Sequence, residues 1–242
     1  MPAAAQVFVY GLVTALATGL GSIPFALVRR LTGATVAYAD AIAAGLMLGA
    51  SFTLVAEGTN YGTWQTVVGA NVGVLFILVT ERLLRERDLA IGSLSGAGAR
   101  RALLVIVTMT VHSFSEGVAV GVAFGGGSQL GLLITIAIAV HNIPEGLAIS
   151  ASLRARGSTL AACAWWSVFS SLPQPLMAVP SFLFVELFTP LLPYGLGFAA
   201  GAMTFMVFQE LLPEAYEEAR RTRVALLTSV MLVGMVLFQQ YL

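Results

Sequence analysis

Long apolar stretches, broken by short polar ones, divide the chain. Eight of them reach the roughly 20 residues that a helix needs to cross a hydrocarbon layer. The first runs from Gln6 to Val28 and stops at Arg29-Arg30. The second runs from Thr35 to Ala56 and ends near Glu57-Gly58, and the third from Thr63 to Leu84. A charged loop containing glycine and serine follows, Arg85 to Ala99. The fourth stretch, Arg100 to Phe124, is stopped by Gly125-Gly126-Gly127, a run that cannot continue a helix cheaply. The fifth spans Gln129 to Leu153; the sixth spans Ser158 to Phe188, with a bend at Pro173 and Pro175. The seventh runs from Leu191 to Glu218 and the eighth from Thr222 to the end.

Two of these stretches carry polarity that an apolar helix has no use for. The fourth contains His112-Ser113-Phe114-Ser115-Glu116-Gly117, and the fifth contains His141-Asn142-Ile143-Pro144-Glu145-Gly146. Both read H-x-x-x-E-G, and they hold the only two histidines. Residues four apart share a helix face. His112 is therefore expected to stack with Glu116, and His141 with Glu145. An imidazole and a carboxylate placed this way can hold a divalent cation, and two such helices can enclose it. Ionisable groups at membrane depth are costly and mark a site or a pathway. A network serving stability alone would not need the same triplet twice.

Composition agrees with the pattern. Of 242 residues, 58% are hydrophobic and 10% charged, which excludes a soluble domain of this size. Formal net charge is zero, so nothing points to nucleic acid. The first stretch lacks a basic leader and reads as a retained helix rather than a cleaved signal. One cysteine, Cys163, excludes an internal disulfide framework and reads as a small buried residue.

The twelve basic residues are all arginine, and their placement sets an orientation. Arg29 and Arg30 follow the first stretch; Arg82, Arg85, Arg87, Arg100 and Arg101 lie around the loop between the third and fourth. Arg154 and Arg156 lie between the fifth and sixth, and Arg220, Arg221 and Arg223 between the seventh and eighth. The other loops carry none. By the positive-inside rule every arginine-bearing loop is cytoplasmic, which puts both termini outside. The expected molecule is an all-α membrane protein, one transmembrane unit over residues 1–242, with 85–99 as a short cytoplasmic loop.

A weak internal repeat accompanies this count. Ala43-Ala44-Gly45-Leu46-Met47 in the second stretch matches Ala199-Ala200-Gly201-Ala202-Met203 in the seventh, and each is followed by glutamate. The two stretches run in opposite directions, as do the two bearing the histidines. The layout is that of a 3+2+3 inverted repeat, a transporter design with its site near the midplane.

Further candidates surround the motifs. Pro144 leaves the carbonyl of Val140 without its helical donor. Ser113 and Asn142 occupy matching positions and offer neutral oxygens. Imidazole plus carboxylate suits zinc, iron, manganese, cobalt or nickel, and a thioether from Met47 would favour zinc or cadmium over magnesium or calcium. Gln174, between Pro173 and Pro175, reads as polar lining. Glu57 lies towards the external mouth, and Glu210 and Glu214 towards the cytoplasmic one, where carboxylates attract cations.

At these residues the sequence resembles the ZIP (Zrt/Irt-like protein) family of divalent-metal transporters, in particular its prokaryotic and GufA-like members. The likeness rests on His112 to Gly117, His141 to Gly146, the stretch around Met47, and Glu210-Leu-Leu-Pro-Glu214. It implies a protein of the cell (inner) membrane, set in the lipid bilayer, that carries zinc into the cytoplasm. Cadmium, iron, manganese and cobalt are further candidate cargoes. The ion is substrate, and no catalytic cofactor is expected. His112, Glu116, His141 and Glu145 would match metal ligands, with Met47 contributing. Members that hold two adjacent ions use further ligands where this chain has Ser113, Asn142 and Gln174. All three are uncharged here, so one tight site is expected. A homodimer is compatible with this layout. The competing reading is an intramembrane zinc-dependent hydrolase, but the chain lacks H-E-x-x-H.

Overall fold

The structure, a computed structural model, describes residues 2–28, 31–85, 97–154 and 157–238. For residues 81, 84, 85, 97–105 and 108 it describes the backbone alone. Arg29, Arg30, Arg87, Arg156 and most of the 85–99 loop therefore lie outside the described residues. Every element among those described is helical: α1 (Ala3–Leu20), α2 (Pro24–Leu27), α3 (Gly33–Tyr61), α4 (Thr63–Arg85), α5 (Ala97–Gly126), α6 (Ser128–Arg154), α7 (Leu160–Ser171), α8 (Pro173–Leu187), α9 (Leu192–Met206), α10 (Leu212–Glu218) and α11 (Arg221–Phe238). Seven spans among the described residues are long and apolar enough to cross a membrane: Ala3–Leu27, Gly33–Tyr61, Thr63–Thr80, Ser128–Arg154, Leu160–Leu187, Thr189–Glu218 and Arg221–Phe238. The remaining expected span corresponds to α5, which is 30 residues long.

Helix ends follow local chemistry. The hydroxyls of Thr32 and Thr159 cap α3 and α7 by accepting from the backbone N–H of Thr35 and Ala162, each at 3.2 Å. Between α5 and α6 the turn is made at Gly127, whose φ of 143° is a conformation only glycine adopts readily. In the sixth span the expected bend is a break at Leu172. Pro173 opens α8 at the helix start, where its missing N–H costs nothing.

Three expectations about element ends are corrected. The first span does not continue to Val28 as one helix. It turns at Gly21 to Ile23, and Pro24 restarts it as the short α2. The second does not end near Glu57 but runs to Tyr61, which puts Glu57 inside its last turns. The seventh is interrupted by a π-helical segment, Val207–Leu211, between α9 and α10. Pro213 has no N–H for the carbonyl of Gln209, so the ladder widens just before it.

Packing of the spans obeys an exchange rule. α4 packs on α9 and α3 on α11; α5 packs on α8 and α1 on α6; α3 packs on α6 and α5 on α9. Each pair becomes the other when spans one, two, three and four trade places with six, seven, eight and five. Three pairs map onto themselves: α3 with α9, α5 with α6, and α1 with α8. This is the pairing that a 3+2+3 inverted repeat requires. At its centre lies an apolar core rich in alanine and methionine, including Ala43, Met47, Ala119, Ala200 and Met203.

Candidate metal centre

α5 and α6 are one of the three pairs that map onto themselves, and they bring the two motifs face to face. His112, Glu116, His141 and Glu145 are each no more than 2% exposed. One ligand atom from each lies within 4.8 Å of all the others. The expected stacking of His112 with Glu116 is present, but the shorter contacts run between the helices. His141 Nε2 stands 2.5 Å from Glu116 Oε1, on the opposite helix. His112 Nε2 stands 2.8 Å from Glu145 Oε1, also across the gap. Within α5, His112 and Glu116 are farther apart, at 3.4 Å. An i,i+4 spacing puts two groups on one face, but the facing helix presents a carboxylate more closely than the next turn does. Sequence spacing could not show this, because it contains no information about the partner helix.

The cluster leaves lone pairs and ring nitrogens unused. His112 Nδ1 and Nε2, His141 Nδ1, Glu145 Oε1, Ser113 Oγ and Asn142 Oδ1 are buried without a hydrogen bond among the described residues. The 2.8 Å approach of His112 to Glu145 is thus off the line of a hydrogen bond. Unsatisfied buried polar atoms are rare and call for an explanation. A cation at the centre supplies one. Zinc–ligand distances of about 2.0–2.2 Å set tetrahedral ligand atoms ~3.3 Å apart. The present separations, from 2.5 Å up to 4.8 Å, straddle that value. Two carboxylates also match the two charges of the ion.

Around the cluster a polar chain fixes Glu116. Gln174 Nε2 donates to Glu116 Oε2 at 2.5 Å. Asn142 Nδ2 donates to Gln174 Oε1 at 3.1 Å and to the backbone carbonyl of Thr14 at 2.8 Å. Gln174 is completely buried in the first turn of α8. The Pro-Gln-Pro sequence thus starts a new helix and places the Gln174 amide against the Glu116 carboxylate. Gln174 and the amide of Asn142 are engaged with protein partners, whereas Ser113 Oγ and Asn142 Oδ1 are not. Met47 is fully buried within the apolar core, on the helix that packs against α6.

The candidate mouth residues differ in setting. Glu57 is partly exposed and accepts from Asn60 Nδ2 at 3.3 Å. Glu210 lies in the π segment and is partly buried, and Glu214 is exposed on α10. Sequence reading missed Asp40. It is 4% exposed in α3, receives no hydrogen bond among the described residues, and interacts electrostatically with Glu214 and Glu145. A lone aspartate amid alanines was the available signal. Also missed were Thr18 and Ser171, whose hydroxyls bond at 2.7 Å beside the Asn142 chain.

A family model described as ZIP zinc transporter matches residues 89–239, which include both motifs. The zinc transporter GufA of Myxococcus xanthus is 33% identical over 225 residues, covering 86% of this chain and 87% of that protein. This chain belongs to the ZIP family. An Arabidopsis thaliana protein provisionally named a zinc transporter is 44% identical over 95% of this chain, which spans 38% of that protein's length. Zinc transporter ZupT of Corynebacterium glutamicum is 29% identical over 89% of the chain and 91% of its own length. Family membership and the apolar helices make this ZIP protein a multi-pass membrane protein.

Proposed function

We propose that this ZIP protein carries zinc across the membrane into the cytoplasm through the site between α5 and α6. The observation that supports this most directly is the convergence of four buried ligand atoms from two facing helices within 4.8 Å, several of them otherwise unpartnered. Three relatives reported above bear the name of zinc transporters, one of them provisionally. His112, Glu116, His141 and Glu145 act as the ligands. Ser113 and the free oxygen of Asn142 complete the polar wall, and Met47 supplies a soft contact from α3. Gln174 holds Glu116 in place. Cadmium, iron, manganese and cobalt enter the same site less well.

Among the described residues, the cluster holds two carboxylates, Glu116 and Glu145, so it takes one ion tightly. Two divalent cations side by side would repel each other without further negative charge. Glu57 collects ions at the external mouth, and Asp40, Glu210 and Glu214 receive them on the cytoplasmic side. The arginine-bearing loops, 85–99 among them, face the cytoplasm, and both termini face outward across the inner membrane. Residues 1–242 work as one transporter unit, compatible with a homodimer in the bilayer.

Uptake of zinc into proteoliposomes containing the purified protein tests this reading. Saturable uptake, lost in a His141→Ala, Glu145→Gln double variant, is the expected result. Binding without uptake in sealed, correctly inserted vesicles would overturn transport in favour of a sensor or an intramembrane hydrolase.

A further inference from the structure

The last residue of each H-x-x-x-E-G motif has no ligand chemistry, yet it recurs. Gly117 and Gly146 each follow the site glutamate, about 100° round the helix from it. Each therefore faces a neighbouring helix while its glutamate faces the ion. A Cβ at Gly117 would meet the Gln174 carbonyl oxygen at 2.6 Å, the Gln174 Cα at 2.8 Å and the Pro173 carbonyl oxygen at 2.9 Å. A Cβ at Gly146 would fall on the Thr18 carbonyl, with the carbonyl carbon only 2.7 Å away. Neither obstacle is a flexible side chain; both are backbone.

The segments pressed against these glycines belong to the polar chain around the site. Gln174 donates to Glu116. Thr18 lies one helical turn beyond Thr14, whose carbonyl accepts from Asn142. The two contacts lie in the two helix pairs, α5 on α8 and α6 on α1, that the exchange relates.

We propose that Gly117 and Gly146 are positioning residues of the metal site. By lacking a side chain they let the backbones of α8 and α1 lie on the glutamate-bearing turns, and this closeness sets the reach of Gln174 to Glu116 and of Asn142 to Thr14. The proposal rests on reading the His/Glu cluster as the ion site. Gly121 separates positioning from packing. It lies one turn further along α5, against the same helix α8, and a Cβ there would run into the Ala178 carbonyl and lie 2.9 Å from the Phe182 nitrogen. The crossing is equally tight, but none of the site's polar partners is beside it.

The test uses the full chain, with zinc affinity measured by chelator competition and Co²⁺ absorption reporting coordination geometry. Gly117→Ala and Gly146→Ala are expected to weaken zinc binding tenfold or more and to shift the Co²⁺ bands. Gly121→Ala is expected to leave both unchanged within twofold, even where it lowers the thermal midpoint. Gln174→Ala should reproduce the Gly117→Ala loss, and the two changes combined should cost no more than one. Equal weakening by Gly121→Ala, or additive losses in the double variant, overturns the proposal. Should the glycine variants not fold, wild-type affinity in Gln174→Ala overturns it alone. A wild-type protein that binds no zinc would instead overturn the site reading beneath it.

Discussion

At the residue scale, the site gathers desolvated charge into a space that four ligand atoms share. Two imidazoles and two carboxylates that are almost wholly buried make sense when a cation binds them together. Removing a ligand then leaves its partners unmatched. Replacing His141 with alanine is expected to weaken zinc binding by on the order of a hundredfold or more, as read by chelator competition. An outer partner of a ligand typically costs 10–100-fold. Gln174→Ala belongs in that range, since it leaves all four ligands but frees Glu116 on one side. Protons compete with zinc for the same nitrogens and oxygens. Affinity should therefore fall as pH is lowered, and steeply, because more than one group must lose its proton. Affinity that stayed flat from neutral to mildly acid pH would count against an imidazole–carboxylate site.

At the element scale, function rests on helices that are interrupted where the sequence places proline. The break at Leu172 delivers Gln174, and the π segment before Pro213 carries Glu210. A π segment holds one extra residue per turn and often marks a functional site. Pro213→Ala lets the ladder close to an ordinary helix, which rotates Glu210 relative to Glu214. Zinc binding should persist while uptake slows several-fold; a variant with wild-type uptake would remove the π segment from the pathway. Gly127 offers a purely structural comparison. A side chain at φ 143° is strained, so Gly127→Ala should destabilise the α5–α6 turn by about 1–3 kcal/mol, measured as a lower unfolding midpoint. The sequence told much of this in advance. Eight spans, the proline bend and the glycine stop were legible because hydropathy and breaker residues act locally. The π segment and the turn at Gly21 were not, since both depend on how the chain resolves a proline within a packed bundle. Nor was the crossed pairing of His112 with Glu145 and His141 with Glu116, which exists only once α5 and α6 meet.

At the scale of the whole molecule, the ion site sits on one of the self-mapped helix pairs, α5 with α6, and the exchange symmetry leaves two similar half-structures around it. Such a layout suits a site opened first to one side and then to the other. It also makes local departures from the symmetry informative. α3 and α9 are exchange partners with matching small-residue stretches around Met47 and Met203, but only α3 carries a buried aspartate about two turns before its methionine. The like charges of Glu214 and, less strongly, Glu145 oppose charge on Asp40. α3 also packs against α10, and its start at Gly33 approaches Glu218 closely. A carboxylate between a deep site and an acidic exit lowers the barrier for a departing cation without adding to the site's own grip. Asp40→Asn should therefore bind zinc at the surface-accessible equilibrium nearly as the wild type does, yet transport it about tenfold more slowly. Stopped-flow uptake beside equilibrium binding separates the two. Equal loss in both would make Asp40 part of the site, and loss in neither would take it off the route.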